Sequence, residues 1–276
     1  WGEPIYVFLM IGTILIDYLL AILIDRNRDD YSKCKWIFIL TIILNVSILG
    51  FFKYFGFFVN NINSIFNLNI PFEGLALPIG ISFYTFQVLS YIVDVYLGKV
   101  EVQYNLINFA TYVTMFPQLV AGPIVQYQTI EEQLNTRQES VFKFGEGVER
   151  FIQGLGKKIL LANNIGMLWT TISSLELSSI SVLTAWLGII AYTFQIYFDF
   201  SAYSDMAIGL GKMFGFEFME NFNYPYISKS VTEFWRRWHI SLGTWFREYI
   251  YIPLGGNRVS VPKQIRNIFV VWALTG

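Results

Sequence analysis

This 276-residue sequence is short of charge: 14% of its residues are Asp, Glu, Lys or Arg, where a soluble domain carries roughly a quarter. The deficit excludes an ordinary water-facing surface. Together with 54% hydrophobic residues and a mean hydropathy of +0.47, it points to lipid as the surrounding medium. A net charge of −1 provides no global basic field, so nucleic acid is excluded as an expected partner. The single cysteine, Cys34, excludes an intrachain disulfide and a cysteine-based metal cluster. With His239 the only imidazole, a zinc site of the usual His/Cys make-up is excluded too, and no metal is expected. "GLGKK" (154–158) and "GLGK" (209–212) lack the upstream glycine of a phosphate-binding P-loop, and no Gly-x-Ser-x-Gly elbow occurs. The chain opens at Trp1 with no initiator Met or signal peptide and stops within the apolar run "VVWALTG". The expectation is a fragment of a longer membrane protein, cut at both ends.

What the sequence does have is long apolar runs. Several approach the ~20 residues that cross a bilayer as helix: 5–24, 36–58 and 77–97. A fourth, 105–124, holds Pro117 and Gly122-Pro123, which suit a broken or re-entrant segment. Residues 141–170 read as a surface helix turning into the membrane, and 182–211 as a long, interrupted span. Another span starts near Ile268. The expected fold is all-α, a polytopic transmembrane bundle with re-entrant and interfacial helices, forming a single membrane-embedded domain over 1–276. No internal repeat or separate soluble domain is visible. Basic residues orient the spans: Arg26, Arg28, Lys33 and Lys35 lie in 25–35, and Arg137, Lys143, Arg150, Lys157 and Lys158 in 125–158. Segments 59–74 and 171–181 have none. Cytoplasmic placement of the basic loops predicts a multi-pass protein of the cell's inner or plasma membrane.

Ionisable groups inside membrane spans are costly and point to function. Tyr84, Gln87, Tyr91 and Asp94 recur at helical spacing and share one face. In "YTFQIYFDFSAYSDMAIG" (192–209), Gln195 and Asp199 are four apart, as are Ser201 and Asp205, while the two aspartates fall on different faces. Helix–helix hydrogen bonding accounts for each residue alone; the cluster favours a polar cavity.

The segment "FWRRWHISLGTWFREYIYIPLGGNR" (234–258) gathers four arginines and the only histidine. As one helix, residues 232–250 divide into two arcs. Phe234, Trp235, Trp238, Leu242, Trp245, Phe246 and Tyr249 fill one; Glu233, Arg236, Arg237, Thr244, Arg247 and Glu248 fill the other. Such a helix lies in the membrane interface, in contact with lipids. Glu233 and Arg237 are spaced to pair, and Pro253 with Gly255-Gly256 ends the helix. His239 falls at the margin of the arcs, as a structural residue or as a proton carrier at the lip of a cavity.

This segment resembles the signature of the membrane-bound O-acyltransferase family, in its bacterial alginate O-acetyltransferase branch. "LPIGISFYTFQVLSYIVDVY" (77–96), "FPQLVAGPI" (116–124), "QIYFDFSAYSDMAIGLGKMFGF" (195–216) and "NFNYPYISKS" (221–230) are similar too. The D-alanyl transfer branch acting on teichoic acids shares the Trp-His-x-Ser core but usually lacks "IPLGGNR". Ala202 stands where the family usually has Gly, which puts close helix packing in question. The resemblance implies acyl transfer, of acetyl, from a cytoplasmic thioester such as acetyl coenzyme A or an acyl carrier. The acceptor would be a hydroxyl on an exported polysaccharide or on a secreted or membrane-anchored Ser-hydrolase-like acetyl carrier. No bound cofactor is expected. The main catalytic histidine, in a Trp-His-Gly context, is expected beyond residue 276, so the fragment is expected to be inactive. His239 would be the supporting family histidine, with Gln87, Asp94, Gln195, Asp199, Ser201, Asp205, Trp235 and Trp238 lining the cavity. Arg236, Arg237 and Arg247 would meet donor phosphates or lipid headgroups. On the residues alone, a transporter for a polar lipid or polysaccharide precursor stays open.

Overall fold

The computed structural model describes residues 5–72, 74–119, 122–176, 178 and 180–275, and every regular element among them is helical. Among the described residues three helices are long and apolar enough to cross a membrane: α1 (Tyr6–Arg26), α2 (Tyr31–Phe66) and α9 (Val182–Met213). The chain divides into two compact units. One holds the residues up to 120 with Gln126–Leu134; the other holds 121–125 and everything from Asn135 onward.

In the first unit, Asp30 caps α2 by accepting from Lys33 N–H at 3.1 Å. The helix outruns the expected span by eight residues, from 58 to Phe66. Its end is tied by Asn63, whose carboxamide both donates to and accepts from the backbone of Ile70, each at 3.0 Å. Midway along α1 the fully buried Asp17 accepts from Asn45 of α2 at 2.7 Å, a lock the sequence reading did not single out. The third expected span is helical only over α3 (Ile81–Tyr96), because Gly80 precedes it with φ +73°. A side chain at Gly80 would collide with the Leu119 carbonyl oxygen, so only glycine fits. The run 105–124 is broken as expected, into α4 (Leu106–Thr114) and α5 (Phe116–Leu119), and α6 (Tyr127–Thr136) follows. The face expected on α3 is real: Tyr84, Gln87, Tyr91 and Asp94 are all buried.

The second unit is built on α7 (Val141–Gly156), a π-helical turn (Lys157–Ala162) and α8 (Asn163–Ser173), all packed along α9. The expected interruption of α9 does not occur: it runs 32 residues without a break. Its two aspartates find partners on α7 and the π turn, which offset their charge without unwinding the backbone. The seam is set by small residues seven apart on both helices. A side chain at Gly154 would lie 2.7 Å from the Ala202 carbonyl oxygen, and one at Gly147 2.6 Å from that of Gly209. Ala202 itself is fully buried, so its extra methyl is accommodated and close packing persists. The last helix, α12 (Val261–Thr275), begins well before the expected Ile268.

Candidate active site

The single interfacial helix expected over 232–250 is two helices. α10 (Val231–Arg237) opens on Ser230, whose hydroxyl accepts from Glu233 N–H at 3.1 Å. Glu233 pairs with Arg237 as its spacing predicts, at 3.0 Å. Then Trp238 turns extended and His239 takes a left-handed conformation, φ 45° and ψ 56°, before α11 (Ile240–Phe246) and a π turn (Arg247–Tyr251). No Pro or Gly causes the break. The segment after α9 does: Asn223 N–H donates to the Arg237 carbonyl and Ile240 N–H to the Asn221 carbonyl, both at 2.9 Å. These bonds replace helical ones on both sides of His239. They hold a residue whose left-handed backbone costs on the order of 1–3 kcal/mol. Such strain collects at functional sites, and here it re-aims the only imidazole.

The two arcs consequently lose their meaning beyond residue 237. Trp245, Phe246 and Tyr249 are buried, whereas Trp235 is 42% exposed and stands edge-on to Trp272 with ring centroids 5.1 Å apart. Trp238 packs against Phe222 and Phe234, and Phe200 stands edge-on to His239 at 4.7 Å. His239 is half-buried, and burial pushes its imidazole down to about 4, so the ring is neutral at pH 7.

Two adjoining cavities open here, sharing Trp235, Gly243, Arg247, Tyr251 and Ile268 in their walls. The smaller, about 540 Å³, is aromatic and apolar, lined by Trp235, Trp238, His239, Leu242, Phe246 and Trp272. The larger, about 1120 Å³, is lined by Arg236, Arg247 and Arg258 together with Thr232, Thr244, Asn257 and Gln264. No ion pair engages these three guanidiniums among the described residues. Arg237 is different. It is held by Glu233 and by the Asn223 carbonyl at 3.1 Å, so it does not line the cavity. Arg258, at the end of "IPLGGNR" and not among the expected contacts, lines the cavity in place of Arg237.

Asn221 is the residue that sequence reasoning missed. Fully buried, its Oδ1 lies 3.2 Å from His239 Nδ1, 3.1 Å from Ser241 N and 3.0 Å from Ser241 Oγ. Ser241 Oγ in turn accepts from Ile124 N–H at 3.0 Å. Three stretches far apart in sequence, 122–125, 221–223 and 237–241, thus meet on one serine and one asparagine. The only signal was that each lay within a quoted motif.

The other expected site residues lie elsewhere. Asp205 binds Arg150 at 2.6 Å and also Lys157; Asp199 binds Lys158. Gln195 and Asp199 line a separate groove of about 720 Å³ between α8 and α9, with Asn163, Thr170 and Thr171. Ser201 is buried. Gln87 and Asp94 are buried in the first unit, where Asp94 pairs with Lys99 at 3.3 Å.

The site thus sets a neutral imidazole beside an apolar cavity, with three arginines next to it that no ion pair engages among the described residues. A sequence model of the membrane-bound O-acyltransferase family matches residues 98–275, and the chain belongs to that family. Among its relatives, a probable alginate O-acetylase, AlgI, of Pseudomonas aeruginosa is 46% identical over 281 residues, covering 100% of this chain and 54% of the relative. A peptidoglycan O-acetyltransferase of Helicobacter pylori is 36% identical, covering 98% of this chain and 56% of the relative. A teichoic acid D-alanyltransferase of Bacillus subtilis is 31% identical, covering 66% and 47%. The chain spans about half the length of these curated relatives.

Proposed function

We propose that this chain supplies the thioester-binding part of an O-acetyltransferase that moves acetyl from a cytoplasmic donor to a hydroxyl on exported material. The observation carrying the reading is the pair of adjoining cavities. Arg236, Arg247 and Arg258 have no carboxylate partner in an ion pair among the described residues and line one space, which suits the phosphates of coenzyme A or of a phosphopantetheine carrier. The aromatic cavity next door suits the uncharged arm that ends in the thioester. In the transfer the hydroxyl oxygen forms a bond to the acetyl carbon, the carbon–sulfur bond breaks, and the hydroxyl proton leaves with the thiolate as thiol. The acceptor would be a polysaccharide or a secreted, Ser-hydrolase-like carrier that passes the acetyl on. The 46% identity to an alginate O-acetylase supports a sugar hydroxyl over a teichoic acid.

We also place the protein in the inner or plasma membrane, with 25–35 and 125–158 on the cytoplasmic face, the same side as the donor. An impermeant thiol reagent that reached a cysteine at Ser64 only after lysis would refute that orientation. Ser64 is preferred to Asn63, which anchors Ile70.

The test of function compares two donors in membranes holding the full-length protein. Acetyl coenzyme A carries the phosphates; S-acetylpantetheine lacks them. Arg247→Gln should raise KM for the first roughly 10-fold, as loss of one charge-assisted contact implies, and leave the second unchanged. Equal KM values for wild type and variant with acetyl coenzyme A would reduce the arginines to headgroup contacts.

A further inference from the structure

We propose that Asn221 is a positioning residue that fixes His239 as the Nδ1–H tautomer, so that Nε2 offers its lone pair at the aromatic cavity. Ser241 N–H can only donate, so the Asn221 atom 3.1 Å away is the carbonyl oxygen and not the amide nitrogen. The carboxamide therefore has one orientation. That same Oδ1 lies 3.0 Å from Ser241 Oγ, and since it cannot donate, the serine hydrogen points to it. The serine lone pair is then free to accept from Ile124 N–H at 3.0 Å, which it does. His239 Nδ1 is 3.2 Å from Oδ1. An unprotonated Nδ1 would set two lone pairs against each other. Ser241 Oγ offers no alternative, being 3.5 Å away with its single hydrogen committed. Nδ1 must carry the proton. In a neutral ring Nε2 is then the acceptor.

This decides what the imidazole can bind. An acceptor at Nε2 suits an O–H group and does not suit a thioester carbonyl, which needs a donor. On the acyl-transfer reading, on which this substrate assignment rests, His239 faces the hydroxyl being acylated. Asn221 touches no substrate; it acts through the ring.

The experiment uses the full-length protein labelled with 15N-histidine in lipid nanodiscs, with His239→Gln identifying the His239 nitrogen resonances. At pH 7 wild type should show a protonated Nδ1 and a bare Nε2, and Asn221→Ala should show a mixture of tautomers. Asn221→Asp keeps an acceptor and adds charge. It should keep the wild-type tautomer and raise the imidazole protonation midpoint by at least 10-fold in proton affinity. A merely structural asparagine would not move that midpoint. A wild-type ring protonated on Nε2, an unchanged tautomer in Asn221→Ala, or an unmoved midpoint in Asn221→Asp would each overturn the assignment. The spectrum needs no substrate. An Nδ1–H ring in a protein that transfers no acetyl group would uphold Asn221 and overturn the acyl-transfer reading instead.

Discussion

Two groups of cations lie in the second unit, and they are arranged on opposite principles. Along the seam of α7 and α9, Arg150 and Lys157 meet Asp205, Lys158 meets Asp199, and Lys212 meets Glu146 at 2.6 Å. Around the larger cavity, Arg236, Arg247 and Arg258 meet no carboxylate in an ion pair among the described residues. A cation that already has its counter-ion inside the protein is part of the architecture. An exposed guanidinium with no counter-ion among the described residues stays open to an anion from outside. Charge counts alone would rank the two groups alike; the pairing separates them.

The largest effect should come from the seam. Asp205→Ala leaves Arg150 and Lys157 without their shared carboxylate. Breaking a fully buried pair costs about 3–5 kcal/mol, but these two cations keep roughly a third of their exposure and can rehydrate, so a loss of about 2 kcal/mol is expected. Thermal unfolding in detergent measures it. KM for the donor should not change in the folded fraction. A stable Asp205→Ala protein with a raised KM would place Asp205 in the site and break the comparison.

His239 is the neutral member of the cavity group, and pH tests that. Its folded value of about 4 lies below the ordinary 6.5, so the unfolded chain binds the extra proton in between. Stability from the neutral ring is complete above about 6.5 and is lost as pH falls toward 4. Between pH 7 and pH 5 wild type should lose roughly 1–2 kcal/mol more than His239→Gln, which cannot titrate. Parallel pH curves for the two proteins would mean that the ring is hydrated and free to charge.

How much of this could be read from the sequence follows the range of the interactions involved. The apolar runs of α1, α2 and α9 and the break at Pro117 are local, and they were legible. So was the Glu233–Arg237 pair, because four residues on a helix fix its geometry. The partners of Asp199 and Asp205 lie 41, 48 and 55 residues away, so their ion pairs with Lys158, Lys157 and Arg150 could not be read from the sequence, although Asp199 does line the groove between α8 and α9. The break at His239 was invisible for the same reason. Its cause is the backbone of Asn221 and Asn223, in a segment whose sequence shows no sign of pairing with 237–240. Periodicity assumed one helix and therefore assigned Arg237 to the wrong group and passed over Arg258.

Within the cavity group, Arg258→Gln should raise KM for acetyl coenzyme A in full-length protein roughly 10-fold, equivalent to about 1.4 kcal/mol, with little change in melting temperature. This residue lies outside the helix that first drew attention to the arginines, so it tests the cavity and not the motif. A loss of stability with unchanged KM would make Arg258 a support of the Gly255-Gly256 turn.

The smallest effect, and the sharpest contrast, lies between two neighbours. Arg236 and Arg237 are adjacent on α10, yet one lines the cavity and the other is held by Glu233 at 3.0 Å and by the Asn223 carbonyl at 3.1 Å. Arg237→Gln removes an ion pair that is about a third exposed and one bond to the segment that carries Asn221. About 1 kcal/mol of stability should go, since exposed pairs of this spacing contribute a few tenths and the backbone contact supplies the rest. Donor KM should stay as in wild type. Arg236→Gln should do the reverse, raising KM severalfold and leaving stability within about 0.5 kcal/mol of wild type, as for a surface change. Measuring both constants for both variants gives four numbers that the pairing predicts before the experiment. If Arg237→Gln raised KM as much as Arg236→Gln, the internal partners would not matter. The rule that separates seam from cavity would then fail at adjacent residues, where it is easiest to test.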